Sequence, residues 1–295
     1  MKDVLADLKT LQARCIIDKG ALLAAASNAY LKKRNSANQQ LCIMNTIFSM
    51  NDKLALITGG GTGLGLGIAR AFVASGGNVV ITGRRREPLE QACGELGERA
   101  RFVVNDIADL SSVPDLVRCV EEEFGAIETL VNNAGINLKK HALDTTDEEF
   151  QRIQQTNLNS VFALTREVGK RMVERKRGSI IMITSMAAMF GLSNVAAYAA
   201  SKSAVLGMTR VLASDLSPYG VRVNSIAPGF IDSPMLRAAL DADPTRKQKV
   251  LSRTPMGTFG SAEDIGWAAV FLASEAAKFV TGVNLPVDGG NSIGF

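Results

Sequence analysis

The stretch Leu54-Ala55-Leu56-Ile57-Thr58-Gly59-Gly60-Gly61-Thr62-Gly63-Leu64-Gly65, continued by Leu66-Gly67-Ile68-Ala69-Arg70-Ala71-Phe72, decides how this chain folds. An apolar run too short for a helix passes straight into glycines, and the glycines pass into apolar residues at helical spacing, so the order is strand, tight turn, helix. A turn this tight needs positive φ, and a backbone that approaches a phosphate closely cannot carry Cβ atoms in the way. The free N–H groups at the start of the helix then face the anion, and the helix dipole favours negative charge there. A glycine-rich turn can also be a plain hairpin or linker; the strand before it and the amphipathic helix after it argue for a phosphate cradle.

Working outward, short apolar runs recur at residues 54–57, 79–82, 102–105, 128–132, 179–184, 221–227 and 283–287. Segments with helical spacing lie between them, at 67–75, 88–96, 113–124, 147–175, 195–216 and 262–273. Strands rich in Val and Ile without polar alternation are buried on both faces, as in a parallel sheet covered by helices. The expected fold is therefore α/β: a doubly wound, Rossmann-type parallel sheet of about seven strands with helices on both faces. Neither a low-complexity linker nor an internal repeat interrupts residues 50–295, which read as a single domain.

Residues 1–49 read differently. They combine a partly helical pattern with a polar tail, and Met50-Asn51-Asp52-Lys53 forms a natural start just before the first strand. They are expected to be an extension outside the core fold, with a docking helix as the alternative; Asp3, Asp7 and Asp18 argue against a transit peptide. Of the 33 basic and 29 acidic residues, the extension holds seven and three, which leaves the rest balanced at 26 each. A neutral body gives no electrostatic support for nucleic-acid binding. The 295 residues are 46% apolar and 21% charged, as in ordinary globular proteins, with no apolar run long enough for a membrane span. Cys15, Cys42, Cys93 and Cys119 form no C-x-x-C pair, and His141 is the only histidine. No metal site or disulfide framework is expected, and a reducing, cytoplasmic compartment fits.

The second strand bears on the ligand. An acid at its end would hold a ribose 2′-OH, whereas a 2′-phosphate wants cations. Here Ile81-Thr82-Gly83 continues into Arg84-Arg85-Arg86, which favours NADP, with NAD as the other option. Alternatively the arginines only solvate a helix start, since Thr62 offers no second cation from the glycine turn. Further on, Tyr198 and Lys202 stand four apart in a helical pattern and so share a face. A neighbouring ammonium favours a phenolate, and such a pair can serve as general acid or base on an alcohol or carbonyl.

Five motifs come in order: Thr58-Gly59-x-x-x-Gly63-x-Gly65, Asn132-Asn133-Ala134-Gly135, Ser185, Tyr198-x-x-x-Lys202 and Pro228-Gly229. Together they resemble the short-chain dehydrogenase/reductase family over residues 51–295, and the first 49 residues have no counterpart there. The resemblance implies catalytic roles for Asn157, Ser185, Tyr198 and Lys202. Tyr198 would move the proton at the substrate oxygen and Ser185 would hold that oxygen. Lys202 would bind the nicotinamide ribose and lower the Tyr198 pKa, and Asn157 would anchor a water beside it. It further implies cofactor contacts from Thr58, Gly59, Gly61, Thr62, Gly63, Leu64 and Gly65 at the pyrophosphate, with Arg84 and Arg85 at the 2′-phosphate. Asp106 and Ile107 would meet the adenine, Asn133, Ala134 and Gly135 the adenosine ribose, and Pro228, Gly229, Ile231 and Ser233 the carboxamide region. Asn132 is expected only to satisfy buried backbone.

Within that family the chain is similar to members acting on sugar acids and polyols, such as gluconate 5-dehydrogenases. The expected reaction is hydride transfer between a nicotinamide cofactor and a small-molecule secondary alcohol or ketone. A 3-oxoacyl-thioester reductase is the alternative, with Lys139 and Lys140 meeting a phosphopantetheine phosphate; a non-catalytic dinucleotide-binding regulator is a third reading. Asn137, Lys139, Lys140 and His141 would form a polar rim, and residues 236–240 and 246–251 short lid helices. The resemblance also implies a homo-oligomer, dimer or tetramer, with Phe162, Leu164, Val168 and Met172 offering apolar surface.

Overall fold

The computed structural model describes residues 47–232, 236 and 244–294. The chain divides into two units, Met1–Ile47 and Phe48–Phe295, and the architecture below belongs to the second. The helix expected within residues 1–49, the residue Ser233 and all but Leu236 of the first lid helix lie outside the described residues.

In chain order the elements are β1 (Leu54–Thr58), α1 (Gly63–Ala74), β2 (Asn78–Gly83), α2 (Arg86–Leu96), β3 (Ala100–Val104), α3 (Val113–Phe124) and β4 (Ile127–Asn132). They continue with α4 (Asp147–Gln154), a π-turn (Gln155–Asn159), α5 (Ser160–Arg175), β5 (Gly178–Ile183), α6 (Ala196–Leu216) and β6 (Val221–Pro228). Then come α7 (Pro244–Ser252), α8 (Ala262–Ala273) and β7 (Asn284–Val287). The seven strands of the described residues form one sheet in the order β3-β2-β1-β4-β5-β6-β7, every pair parallel. This is the expected doubly wound sheet, and the strand order reverses between β1 and β4, where such sheets bind ligands beyond the strand ends.

Both faces are covered because side chains alternate along each strand. Ala55 and Ile57 of β1, with Ile181 and Ile183 of β5, point to the face covered by α1, α2 and α8. Leu54 and Leu56, with Ile180 and Met182, point to the face covered by α3, α5 and α6. Helices α1 and α8 approach closely, since a Cβ on Gly266 would stand 2.6 Å from the carbonyl oxygen of Gly67.

Three expectations change. Helix α1 begins at Gly63 rather than 67, because Gly63, at φ +56°, turns the chain into the helix directly after the extended Thr62. The helix expected over 147–175 is broken by the π-turn, which adds one residue to a turn and re-aims the side chains beyond it. Leu164, Val168 and Met172 are completely buried in this chain's own core, so only Phe162, 45% exposed, is available to a partner.

Candidate active site

The glycine turn is held from below. Gly59 takes φ +67°, in the left-handed region, and its N–H donates to the Thr82 carbonyl at 2.7 Å. Thr58 Oγ1, almost fully buried, accepts from the Asn133 and Ala134 N–H groups at 3.0 and 2.9 Å, which ties the end of β1 to the loop after β4. The Asn133 carboxamide returns the tie by donating to the Thr58 carbonyl at 2.8 Å. Gly65 is buried and does not line the cleft: a Cβ there would clash with the Gly59 carbonyl and come within 2.6 Å of Asn133 Nδ2, so the turn closes only on a glycine. Helix α1 starts at Gly63, and its N-cap Thr62 makes no side-chain cap, leaving the first N–H groups open for an anion.

These groups open onto a cleft of about 890 Å³ along the carboxyl ends of the strands. Of the expected residues, Thr58, Gly59, Gly61, Thr62, Gly63, Leu64, Arg84, Arg85, Asp106 and Ile107 line it at one end. Asn133, Ala134, Gly135, Ser185, Tyr198, Lys202, Pro228, Gly229 and Ile231 line the remainder. Arg84 and Arg85 are exposed there and have no carboxylate partner among the described residues. Neighbouring Arg86 pairs with Glu90 at 3.2 Å. Asp106 Oδ1 accepts from the Ala108 N–H at 3.1 Å, which closes the loop after β3.

Ser185 follows β5 in extended conformation, and its hydroxyl accepts from the Ala187 N–H at 3.1 Å, so it does cap the following turn. The Tyr198 phenol lies near the same hydroxyl. Burial pushes the Tyr198 phenol above its ordinary range, and the neighbouring Ser185 hydroxyl counters part of that rise. The expected lowering by Lys202 is therefore not what governs Tyr198. Lys202 Nζ lies 5.7 Å from the Tyr198 ring centroid and donates to the Ile183 carbonyl at 2.7 Å. It is 5% exposed, and burial brings its ammonium down to about 8.

Asn157 lies in the π-turn, fully buried and outside the cleft lining. Its Oδ1 accepts from the Ile136 N–H at 2.8 Å, while Nδ2 donates to the Ile136 carbonyl at 2.8 Å and to Ser201 Oγ at 3.2 Å. A side chain at Gly135 would meet Asn157 Oδ1 at 3.2 Å and Lys202 Nζ at 3.6 Å, so both atoms face the space that this glycine leaves free. Asn132 donates to Thr165 Oγ1 at 2.9 Å, bonding side chain rather than the backbone expected.

The rim differs from expectation at Lys140, whose ammonium is bound to both Glu149 oxygens at 2.8 and 3.0 Å; Lys139 remains exposed. His141 caps the short turn Ala142–Asp144 through Nδ1. Residues 246–251 do form a helix, within α7. Sequence reasoning missed Thr82, Asn105, Thr156 and Phe230 as cleft residues; strand-end position beside the residues already singled out is the signal for the first two. Among the described residues no three His, Cys, Asp or Glu side chains gather as a metal site, and no helix is long and apolar enough to cross a membrane.

A phosphate cradle, a long cleft over a parallel sheet and a Ser–Tyr–Lys cluster at one end define a dinucleotide-binding oxidoreductase site. The family model described as Enoyl-(Acyl carrier protein) reductase matches residues 59–292. An NADP-dependent (R)-specific alcohol dehydrogenase of Lentilactobacillus kefiri is 41% identical over 82% of this chain and 97% of its own length. A 2-dehydro-3-deoxy-D-gluconate 5-dehydrogenase of Bacillus subtilis is 39% identical over 84% and 97%. Among solved structures, a gluconate 5-dehydrogenase from Burkholderia cenocepacia J2315 in complex with NADP and tartrate superposes with a TM-score of 0.79. That chain is 33% identical, and the match covers 85% of this chain and all of that one. The chain belongs to the short-chain dehydrogenase/reductase family, oxidoreductases acting on CH–OH groups.

Proposed function

We propose that this protein is an NADP-dependent dehydrogenase/reductase that interconverts a secondary alcohol and a ketone on a sugar acid or polyol. The observation that carries it is the meeting of Ser185, Tyr198 and Lys202 in the cleft that also holds the open start of α1 and the exposed Arg84 and Arg85. These residues fit a phosphorylated dinucleotide: open N–H groups for the pyrophosphate, guanidinia for the 2′-phosphate, and Asp106 and Ile107 for the adenine. Asn133 to Gly135 would hold the adenosine ribose, and Pro228, Gly229 and Ile231 the carboxamide region, where Ser233 would join them. Gly65 serves by letting the turn close. When bound, a nicotinamide supplies or takes up the hydride.

The chain's own residues manage the proton. The raised Tyr198 pKa keeps the phenol protonated at neutral pH, ready to donate to a carbonyl oxygen, and in the reverse direction it recovers the proton from the alcohol. Ser185 steadies the same oxygen as charge develops. Lys202, mostly protonated at pH 7, binds the nicotinamide ribose. Asn157 positions the Ile136 backbone and, with Lys202, would hold a water in the space left by Gly135.

The substrate class is supported by the names of the relatives and by the exposed Asn137 and Lys139 at the rim. The thioester reading is weakened because Glu149 occupies Lys140. A panel of gluconate, polyols and acetoacetyl thioester, each with NADP(H) and NAD(H), tests the proposal. Turnover of a sugar acid or polyol with NADP(H) supports it. Turnover of the thioester alone makes the protein a 3-oxoacyl reductase, and tight NADPH binding without any turnover makes it a regulator.

Residues 50–295 are taken as the single enzyme domain, with 1–49 outside it, in a reducing, cytoplasmic setting; Cys93 and Cys119 are free thiols. A homo-oligomer is supported by β7, which pairs only with β6 among the described residues, and by exposed Phe162, Val211, Trp267 and Phe279. Light scattering after gel filtration tests that, and a monomer at micromolar concentration contradicts it.

A further inference from the structure

Two consecutive glutamines, the last residue of α4 and the first of the π-turn, bind the backbone of two different walls of the cleft. Gln154 Nε2 donates to the Ala197 carbonyl at 2.9 Å, in the first turn of α6 and one residue before Tyr198. Gln155 Nε2 donates to the Ala108 carbonyl at 2.9 Å, in the loop after β3. That loop carries Asp106 and Ile107 into the cleft, and the Ala108 N–H is already held by the Asp106 carboxylate. The loop is thus fixed from both sides, by its own carboxylate and by Gln155. Asn159 donates to Gln155 Oε1 at 2.9 Å, which orients the Gln155 carboxamide with its amino group toward Ala108. Successive side chains on a helix stand about 100° apart, and Gln154 and Gln155 both keep right-handed helical φ and ψ, so the pair faces two directions at once.

We propose that Gln155 is a positioning residue for the adenosine half of the cofactor site and Gln154 one for the reacting half, so that the π-turn joins the two. The inference rests on the cofactor reading above. Thr156, between Gln155 and Asn157, itself lines the cleft, so the turn borders the ligand as well as the two elements it ties. Sequence spacing alone could not show this, since Ala108 and Ala197 lie 47 and 43 residues from their glutamines.

The test uses the full chain with Gln155→Met, Gln155→Glu and Gln154→Met. Calorimetric titration gives the affinity for NADPH and for 2′,5′-ADP, which carries no nicotinamide, and steady-state kinetics gives kcat with the best substrate of the panel. Loss of one partly buried neutral hydrogen bond should weaken 2′,5′-ADP and NADPH by about fivefold in both Gln155 variants. Gln154→Met should bind 2′,5′-ADP as the wild type does and lose kcat instead. Wild-type protein that binds neither ligand defeats the cofactor reading itself. Wild-type binding with unchanged 2′,5′-ADP affinity in the Gln155 variants overturns the inference. So does an equal loss in Gln154→Met, or failure of both Gln155 variants to fold, which would make the residue merely structural.

Discussion

Replacing Arg84 and Arg85 with alanine should convert a selective NADPH site into an indifferent one. Both guanidinia are exposed at the cleft without a carboxylate partner among the described residues, so neither must be drawn from an ion pair to meet a phosphate. A charge-assisted hydrogen bond contributes ~1.5–3 kcal/mol, and exposure with salt screening lowers this to about 1–2 kcal/mol for each arginine here. Each single substitution should then raise the NADPH Kd by about 5- to 30-fold, and the double by about 25- to 900-fold if the two act independently. NADH, with no 2′-phosphate, should bind unchanged. Arg86→Ala is the control, because Arg86 already pairs with Glu90 and lies over the Phe102 ring at 5.5 Å; it should leave the NADPH/NADH ratio within about twofold. Fluorescence titration with both dinucleotides at low and physiological ionic strength reads the effect, and the selectivity should fall as salt rises. Equal weakening of NADPH and NADH, or an unchanged ratio in the double variant, would refute the reasoning.

Two other outcomes follow from buried charges. The Glu121 side chain, 11% exposed, binds Arg175 at 2.9 Å and Arg171 at 3.3 Å and accepts from the Ile127 N–H at 3.1 Å. Glu121→Ala leaves two guanidinia unpaired between α3, α5 and β4 and should cost about 2–4 kcal/mol, a fall in Tm of about 5–15 °C by calorimetry. An unchanged melt would show the cluster to be inert. Burial holds Lys202 at about 8 in the folded chain against 10.5 when unfolded. Between those values the unfolded chain binds the extra proton, so stability rises with pH; the interval amounts to about 3 kcal/mol, fully gained only above the unfolded value. Urea denaturation of wild type and Lys202→Met should therefore diverge in favour of the wild type by about 2–3 kcal/mol from pH 7.5 to 10. Parallel curves would contradict the buried placement.

How much of this was legible beforehand depends on whether the cause is local. The strands were readable within two residues because each carries a short apolar stretch, fully buried in the interior strand Leu54–Thr58 and only partly buried at the edges β3 and β7. The limits of α3 and α8 were readable outright, from the helical spacing of apolar residues over 113–124 and 262–273. The π-turn was not, because its reason is tertiary: Asn157 grips both polar groups of Ile136, 21 residues away. Nothing in Gln-Thr-Asn-Leu-Asn announces that. The cluster of Ser185, Tyr198 and Lys202 could be named from motif order, but the electrostatics could not. Helical spacing suggested that Lys202 would lower Tyr198, whereas the depth of the site, invisible in sequence, makes burial the larger influence. Lys140 looked available for the same reason, until the fold brought Glu149 against it.

The most direct test of the central claim is Tyr198→Phe. It removes the one hydroxyl assigned to proton transfer and leaves the ring, Lys202 and the cleft in place. NADPH affinity should stay within about twofold of wild type, and kcat with the preferred alcohol or ketone should fall by about 10²–10⁴ or more. Turnover at the wild-type rate with NADPH binding intact would contradict the account.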